Sequence, residues 1–363
     1  MTYQDFIKKE KKVRWNSTFG EIKVIEPIFN FNKKQSYRPF LLFSKITARC
    51  CSLPLQRVLT DFGADDAYEK CSRKVKEHYG IEISASTIRT TTLRHAESMN
   101  EQQQEYDESL EQTKGCNLEI AEMDGCMIPI VTSDESAEDK RKGKTLSWKE
   151  ARLGLAHPKE ILKPKFSATF QLSTHDAGKS LLNCAIKAGF GKNTYLHGVG
   201  DGAPWIASQF KDKLGSQGHY LIDFYHVCEY LVAASPYCCD INPKGWVEEQ
   251  KKHLKNNDFK YVIENLSSFI EAESCEENQS PVRACHRYLI NRQNQLDYKS
   301  ALEKGLPIGS GEIESAHRYV IQKRLKLSGA WWKSSNVNPM LSLRVVRENE
   351  EWEDYWENLK KTA

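Results

Sequence analysis

The chain has 363 residues, of which 28% are charged and 39% hydrophobic, a composition typical of a globular protein with room for two or three domains. Its formal net charge of +3 neither indicates nor excludes a nucleic-acid partner, because a local basic surface can be offset elsewhere in the sum. The N-terminus lacks the apolar segment of a signal peptide, and no stretch approaches about 18 consecutive apolar residues. These features argue against a secreted or membrane class and predict a cytoplasmic protein.

Eleven cysteines are scattered along the chain, and no two of them form a C-x-x-C pair. Several lie near histidines within residues 226–286, but their spacing matches none of the usual zinc patterns. We therefore expect reduced, mostly buried thiols rather than a zinc site or a disulfide framework.

An N-terminal arm and a helical domain are the first predicted segments. Residues 1–52 mix basic, aromatic and turn residues without a sustained period, which predicts an irregular arm with room for one short strand. Pro54 then suits a first helical turn, and Gly63 and Gly80 interrupt the helical pattern. Within residues 53–99 this pattern predicts three helices, over 53–62, 65–79 and 87–99.

The second and third of these helices have the outline of a helix-turn-helix motif. Ser84 or Ser86 can cap the third helix, whose outward side chains include Arg89 and Arg94. In this interpretation the third helix lies in a major groove, and Arg89 and Arg94 contact DNA. The alternative is an ordinary pair of packed helices with a polar outer face.

Strand-like alternation begins at Leu118 and marks the start of a predicted α/β domain. The preceding residues, 100–117, begin with almost nothing apolar and predict a solvated linker. The run LEIAEMDGCMIPIV then alternates, and it places Asp124 inside an otherwise apolar strand. After a charged loop, two more strand-like runs at 148–156 and 166–172 predict a meander of three strands.

Helices and strands alternate next, before a long helical block. A helix, a strand, a helix and a strand are predicted over residues 176–188, 195–200, 204–215 and 220–224. Asp201 follows the first of these strands, and Asp223 and His226 lie at the end of the second. The order predicts a mixed α/β domain interrupted by a helical insertion. The predicted segments are an arm (1–52), a helical DNA-binding domain (53–99) and a linker (100–117). They are followed by a first core part (118–225), an all-α insertion (226–305) and a last core part with C-terminal helices (306–363).

The stretch GSGEIESAHRYVIQKRLKLSGAWW, residues 309–332, predicts a sharp turn that leads into a helix capped by Ser310. One face of this helix carries Glu314, His317 and Arg318. Glu312 lies about 200° round the helix from Glu314, so only one of these two glutamates can point into a given site.

Asp124, Asp201 and Glu314 are widely separated in sequence, and only tertiary folding could bring them together. Strand ends in an α/β sheet are where sites form, so convergence is plausible. Three such carboxylates repel one another unless cations lie between them, and oxygen ligands suit Mg²⁺ or Mn²⁺. The alternative is that the two Asp-Gly pairs are turn dipeptides and that Glu314 only complements a helix dipole.

Several runs together resemble a known family. They are Asp124-Gly125, GVGDGAPWI around Asp201, LIDFYHVCEYL after it, PIGSGEIESAHRYVIQKRLKLSGAWW around Glu314, and MLSLRVVREN near the C-terminus. These runs are similar to the Kra-type transposases of bacterial insertion sequences, which are RNase H-like DDE transposases related to Mutator-like elements. The resemblance covers about residues 118–357.

The resemblance implies an RNase H-like mixed sheet with an all-α insertion, preceded by the helix-turn-helix-like domain. It makes Asp124, Asp201 and Glu314 the ligands of two Mg²⁺ or Mn²⁺ ions. It also places His226, within a D-x-x-H signature that begins at Asp223, near the metal site in a structural or substrate-orienting role.

The implied activity is hydrolysis at the ends of the mobile element, followed by attack of the freed 3′-hydroxyl on target DNA. The implied partners are double-stranded DNA and further copies of the chain. Basic side chains after Glu314 would meet phosphates, unless they form only a solvated helix face: Arg318, Lys323, Arg324 and Lys326. The tryptophans Trp205, Trp331 and Trp332 either stack on an unpaired base or pack into the core.

Two other functions fit the same acidic residues. An RNase H-like nuclease without strand transfer shares the three carboxylates, but it needs neither a helix-turn-helix module nor a large insertion. A catalytically silent DNA-binding protein derived from a transposase is the second, although all three acidic residues are present in this chain.

Overall fold

The computed structural model describes residues 7–32, 35–43, 51–104, 113–134, 136 and 143–362. The chain divides into two compact units. The first unit comprises residues 1–106, 128–149 and 319–363, and the second comprises residues 107–127 and 150–318. Of the helices in the described ranges, none is both long enough and apolar enough to cross a membrane.

The first unit begins with a three-stranded antiparallel sheet of β1 (Ile7–Ser17), β2 (Gly20–Asn32) and β3 (Gln35–Tyr37), followed by the short helix α1 (Pro39–Phe43). The prediction of an irregular arm is therefore wrong for these residues. Strand β1 reads IKKEKKVRWNS, and its charged side chains hide the alternation on which strand prediction depends.

Three helices follow as predicted: α2 (Leu53–Asp65), α3 (Tyr68–Tyr79) and α4 (Ala85–Gln104). Ser84 caps the third, because its Oγ accepts the N–H of Thr87 at 3.2 Å. Gly63, expected between two helices, lies inside α2, where a Cβ would come within 2.2 Å of Thr92 Oγ1 on α4. Its role is close helix packing rather than a break. The predicted linker starts as helix, since α4 continues to Gln104, and residues 105–112 lie outside the described part.

A five-stranded mixed sheet forms the centre of the α/β part, with the order β6-β5-β4-β7-β8. Strands β4, β7 and β8 are parallel, whereas β5 and β6 are antiparallel to each other. These strands and their two helices are β4 (Leu118–Ser133), β5 (Lys144–Pro158), β6 (Lys165–Phe170), α5 (Thr174–Ala188), β7 (Tyr195–Gly200), α6 (Pro204–Leu214) and β8 (Gly218–Ile222). The mixed α/β class is confirmed. Most of the charged loop before β5 lies outside the described residues.

The block after β8 is helical, in agreement with the predicted insertion. It consists of α7 (Phe224–Cys238), α8 (Pro243–Lys255), α9 (Phe259–Ser267), α10 (Pro281–Ile290) and α11 (Tyr298–Glu303). Helix α7 packs on α8 and α10, with Val227, Leu231 and Cys285 in the shared core. All ten cysteines in the described ranges are free thiols, and most of them are buried.

The helix expected after residue 310 is present over residues 311–325, and its type changes along its length. It begins as α12 (Gly311–Ala316), widens into a π-helical segment (His317–Gln322) and ends as α13 (Lys323–Leu325). π-Helical turns inside helices are rare and are frequent at functional sites. Helices α14 (Val337–Glu348) and α15 (Trp352–Thr362) complete the first unit, where α14 packs against α4.

Candidate active site

Three aspartates lie at neighbouring positions in the second unit, just beyond the parallel pairing of β4, β7 and β8. Glu122 of β4 pairs with Val199 of β7, so two residues further on Asp124 stands level with Asp201. In the same way Gly200 of β7 pairs with Ile222 of β8, which brings Asp223 level with Asp201. Neighbouring strands are about 4.8 Å apart, so the backbones at these positions are adjacent.

The negative charges of Asp124 and Asp201 both act on the Tyr220 phenol. Burial raises the pKa of the Tyr220 phenol, and the negative charges of Asp201 and Asp124 raise it further. One oxygen of each aspartate is held by backbone: Asp124 Oδ1 accepts the N–H of Gly125 at 2.6 Å, and Asp201 Oδ1 accepts the N–H of Ala203 at 2.8 Å. Both aspartates are half-buried.

The Asp-Gly pairs are not hairpin turns. Asp124 and Gly125 lie inside the continuous strand β4, where a Cβ on Gly125 would come within 2.5 Å of Glu150 Oε1. Asp201 and Gly202 instead connect β7 to α6, and Gly202 has a φ of +81°, which favours glycine. The turn-dipeptide alternative is therefore wrong for the first pair.

Side chains from β8 and α10 hold the Asp201 loop. Tyr220 Oη accepts the N–H of Gly202 at 3.1 Å, and Tyr288 Oη donates to the carbonyl of Asp201 at 2.6 Å. Arg292 Nε donates to the carbonyl of Gly202 at 2.8 Å. The helical block therefore contributes directly to the position of the second acidic residue, a role that the sequence pattern did not reveal.

Asp223 is buried, and both of its oxygens are occupied. Oδ1 accepts the N–H groups of Tyr225 and His226 at 2.6 and 3.1 Å and so caps α7. Oδ2 accepts the N–H and the hydroxyl of Ser310 at 2.7 and 2.6 Å. Asp223 is thus a structural residue that joins the end of β8 to the turn before Glu314.

Helix α12 is capped by Glu122 rather than by Ser310. The Ser310 hydroxyl donates to Asp223 and makes no cap, so the prediction that it caps this helix is wrong. Glu122 Oε2 accepts the N–H of Ile313 at 2.7 Å instead. Burial raises the pKa of Glu122 to about 8, although the Ile313 hydrogen bond works in the opposite direction. The sequence shows this residue as a second carboxylate in the apolar run LEIAEMDG.

The two glutamates of α12 have different surroundings. Glu312 Oε2 lies 3.1 Å from Nε2 of His157, whose side chain is fully buried, so Glu312 is committed to an ion pair. Glu314 is exposed, and its carboxylate has no ion pair or hydrogen bond with any described residue. Of these two residues, Glu314 is the one that remains available for a ligand.

His317 contacts Asp124 one helical turn after Glu314. Its Nε2 lies 3.2 Å from Asp124 Oδ2, close enough for an ion pair although neither ring nitrogen meets full hydrogen-bond geometry. Burial lowers the pKa of His317, but its interactions with Asp124 and Cys126 outweigh burial and raise the pKa to about 9. At neutral pH this imidazolium balances the negative charge of Asp124.

The donor chemistry of the predicted metal site fits a hard cation, since Asp124, Asp201 and Glu314 offer only carboxylate oxygens. However, no three His, Cys, Asp or Glu side chains within the described ranges lie close enough together to hold a metal ion. The structure places the two aspartates on adjacent strands and ties α12 to the same strand ends, but it does not gather the three carboxylates into one ligand group.

The His226 backbone N–H donates to Asp223 Oδ1, but its imidazole forms no ion pair or hydrogen bond with Asp124 or Asp201 in the described part of the chain. Its Nδ1 lies 3.2 Å from Oε2 of Glu229 on the same helix, and its ring meets Tyr230 and Tyr288 edge to face. Because Tyr288 holds the carbonyl of Asp201, His226 supports the site indirectly through this aromatic contact.

The predicted DNA contacts in α4 differ in exposure. Arg89 is exposed, together with Thr90 on the outer face of the helix. Arg94 is half-buried, and its guanidinium donates to Oε1 of Gln56 on α2. Arg94 therefore takes part in the packing of the helical domain.

The basic residues after Glu314 also differ in exposure. Arg318, Lys323 and Lys326 are exposed, and Lys323 Nζ lies 3.5 Å from Asp65 Oδ1. Arg324 is only 2% exposed and donates to the carbonyl of Gly63. An enclosed guanidinium cannot reach a phosphate, so Arg324 is a core residue rather than a DNA contact.

The candidate tryptophans also pack against protein groups. Trp332 is buried, and its indole N–H donates to the carbonyl of Leu325 at 3.2 Å. The guanidinium of Arg152 lies 4.6 Å from the ring centroid of the half-buried Trp205. Trp331 is 54% exposed, and it alone of the three keeps a largely open ring.

The model of the uncharacterised protein family UPF0236 matches residues 6–357. This match includes both units and every candidate residue discussed above. None of the curated proteins matches the sequence.

Proposed function

We propose that this chain, which belongs to the uncharacterised protein family UPF0236, is a DDE transposase that cuts and joins DNA with the help of two divalent cations. The proposal is carried by one observation: Asp124, within β4, is level with Asp201, which directly follows the adjacent parallel strand β7. Two aspartates in this arrangement are suited to share cations, and the backbone N–H groups of Gly125 and Ala203 occupy only Oδ1 of each.

The sheet order supports an RNase H-like core. The first strand of the domain is central, the next two extend the sheet on one side, and two parallel strands extend it on the other. A helical block follows the fifth strand, and α12 returns to the carboxyl ends of the parallel strands through hydrogen bonds to Glu122 and Asp223.

Asp124, Asp201 and Glu314 would hold the two Mg²⁺ or Mn²⁺ ions. When bound, such ions activate a hydroxyl and stabilise the leaving oxygen of a phosphodiester. Tyr220 and Tyr288 hold the loop that carries Asp201. In the absence of a bound cation, His317 balances the negative charge of Asp124. Glu314, which is exposed and whose carboxylate makes no ion pair or hydrogen bond with any described residue, would supply the remaining carboxylate oxygens.

The remaining roles in this proposal concern DNA and self-association. Double-stranded DNA, at the ends of the mobile element and at the target, is the proposed partner of a homo-oligomer. Arg89, Arg318 and Lys326 are exposed cations that can meet phosphates. His226 is assigned a positioning role, because it reaches the Asp201 loop only through Tyr288.

The test uses the purified protein and a supercoiled plasmid that carries the DNA flanking both sides of its coding sequence. Asp124→Asn, Asp201→Asn and Glu314→Gln each remove a charged oxygen donor without changing shape. Each should lower Mg²⁺-dependent cleavage by about 100-fold or more. Glu312→Gln is the matched control on the same helical turn, and we expect it to retain activity within about twofold.

The outcomes separate the candidate functions. Cleavage followed by joining of the freed 3′ ends supports the transposase. Cleavage without joining indicates a nuclease, and specific binding without cleavage indicates a silent DNA-binding protein. If Glu312→Gln inactivates the protein and Glu314→Gln does not, then the third ligand has been assigned to the wrong glutamate.

A further inference from the structure

A cleft opens beside the Asp201 loop, between α6 and the turn that follows α10. Its volume is about 330 Å³, and its polar and apolar lining includes Pro204, Ser208, Lys211, Asn291, Arg292 and Gln295. Gly202, the neighbour of Asp201, lines it as well. All of these residues belong to the second unit. The cleft is therefore continuous with the loop that carries the second candidate ligand.

The charge in this cleft has one sign. Lys211 and Arg292 are its charged lining residues, and neither an aspartate nor a glutamate contributes to the lining. Lys211 is exposed, and it makes no ion pair with any described residue. A lining that contains two cations and no carboxylate is suited to an anionic ligand, whose negative charge would pair with them.

Arg292 is already fixed in position. Its Nε donates to the carbonyl of Gly202, its Nη1 donates to the carbonyl of Tyr288 at 3.3 Å, and its guanidinium lies 4.2 Å from the ring centroid of Tyr288. These contacts leave Nη2 as the donor group that can serve a ligand. A guanidinium held in one orientation loses little freedom when it binds a phosphate oxygen.

The rest of the lining favours a nucleotide over a small anion. The amides of Asn291 and Gln295 can donate to and accept from the edge of a base, and Pro204 offers an apolar contact for a sugar or base. A volume of this size also exceeds what a phosphate alone would fill.

We propose that the cleft between α6 and α10 binds one phosphate-bearing nucleotide of a single DNA strand, with its phosphate on Arg292 and Lys211. The bound nucleotide lies next to the phosphodiester that reaches Asp201. This assignment rests on the proposed function, which makes DNA the substrate. It extends that function by assigning the helical block a contact with one nucleotide of the substrate strand.

The experiment measures binding of a fluorescent single-stranded oligothymidylate of about 12 nucleotides in EDTA, so that no cleavage is required. Lys211→Ala should weaken binding by about 3- to 10-fold and reduce the salt dependence of the affinity. Lys213→Ala is the matched control on the same helix, because Lys213 Nζ lies 3.3 Å from His175 and does not line the cleft. Arg292→Lys keeps the positive charge but lacks the planar guanidinium with its paired N–H donors. It should weaken oligonucleotide binding and lower Tm by no more than a few degrees.

Thymidine monophosphate is the second probe, and it distinguishes a strand from a free nucleotide. If the oligonucleotide protects residues 204–211 and 291–295 from hydrogen exchange and the monophosphate does not compete, the cleft binds a strand as proposed. Competition by micromolar monophosphate would overturn the strand assignment in favour of a free nucleotide. Equal affinities of Lys211→Ala and the unaltered protein would overturn the site itself. Loss of Lys211-dependent binding and loss of metal-dependent cleavage are separate readouts, so either idea can fail without the other.

Discussion

Asp223 Oδ2 accepts both the backbone N–H and the hydroxyl of Ser310, at 2.7 and 2.6 Å, and so joins two positions that are 87 residues apart in the chain. Because Asp223 ends β8 and Ser310 precedes α12, this contact places the helix that carries Glu314 at the carboxyl ends of the strands.

Asp223→Asn should destabilise the protein by about 2–3 kcal/mol, because a buried amide cannot accept all four hydrogen bonds that the carboxylate accepts. Thermal unfolding measures the change as a lower Tm. Asp240→Asn is the control, since Asp240 is exposed and lies outside this network. An unchanged Tm for Asp223→Asn would show that the contact with Ser310 does not hold α12 in solution.

Glu122 should make the protein less stable as the pH rises, because its carboxyl pKa is raised in the folded state. Its pKa is about 8 in the folded protein, against an ordinary value of 4.5, so its neutral form is favoured by folding. The contribution is fully present below pH 4.5 and is lost as the pH rises toward 8. Glu122→Gln keeps the acceptor for the Ile313 N–H but cannot ionise.

We therefore expect the difference in unfolding free energy between Glu122→Gln and the unaltered protein to move in favour of the variant from pH 5 to pH 8.5. Urea unfolding at several pH values measures it. The exposed Glu273→Gln provides the comparison, with no such trend. A constant difference across this range would mean that Glu122 ionises normally in the folded state.

Gly202→Ala should be more destabilising than Gly80→Ala, although both glycines have a positive φ, of +81° and +66°. A Cβ at position 202 would lie 2.4 Å from Tyr288 Oη, whereas a Cβ at position 80 meets nothing within 4 Å. Backbone strain alone costs about 1 kcal/mol, and the clash adds to it only at position 202. Equal losses of Tm in the two variants would contradict the close contact between Tyr288 and the Asp201 loop.

Arg324→Ala and Lys326→Ala should separate stability from DNA binding. Arg324 lies 4.8 Å from the ring centroids of both Tyr68 and Trp332, so its loss should lower stability by about 3 kcal/mol. Lys326 is exposed, and its loss should lower Tm far less than the loss of Arg324 but should weaken binding to duplex DNA and reduce the salt slope by about one. Filter binding at several salt concentrations, together with thermal unfolding, checks both. A stable Arg324→Ala variant with weak DNA binding would reverse the assignment.

Local patterns in the sequence determined much of the fold. Strand-like alternation from Leu118, helical periodicity in residues 53–99 and 226–305, and the position of Asp201 after a strand all have counterparts in the structure. These features depend on neighbouring residues, whose side chains alternate or repeat along one element, so they can be predicted without knowledge of the rest of the chain.

Other features were decided only by the tertiary structure. The N-terminal sheet was missed because the many charged side chains of β1 hide its alternation, whereas its pairing with β2 is a contact between two segments. Glu122 replaces Ser310 as the cap of α12, Arg324 is enclosed, and Tyr288 and Arg292 of the helical block hold the Asp201 loop. Each of these contacts joins residues that are far apart in the chain. Hydrogen bonding and burial of a polar side chain depend on which partner folding brings beside it, and no local pattern carries that information.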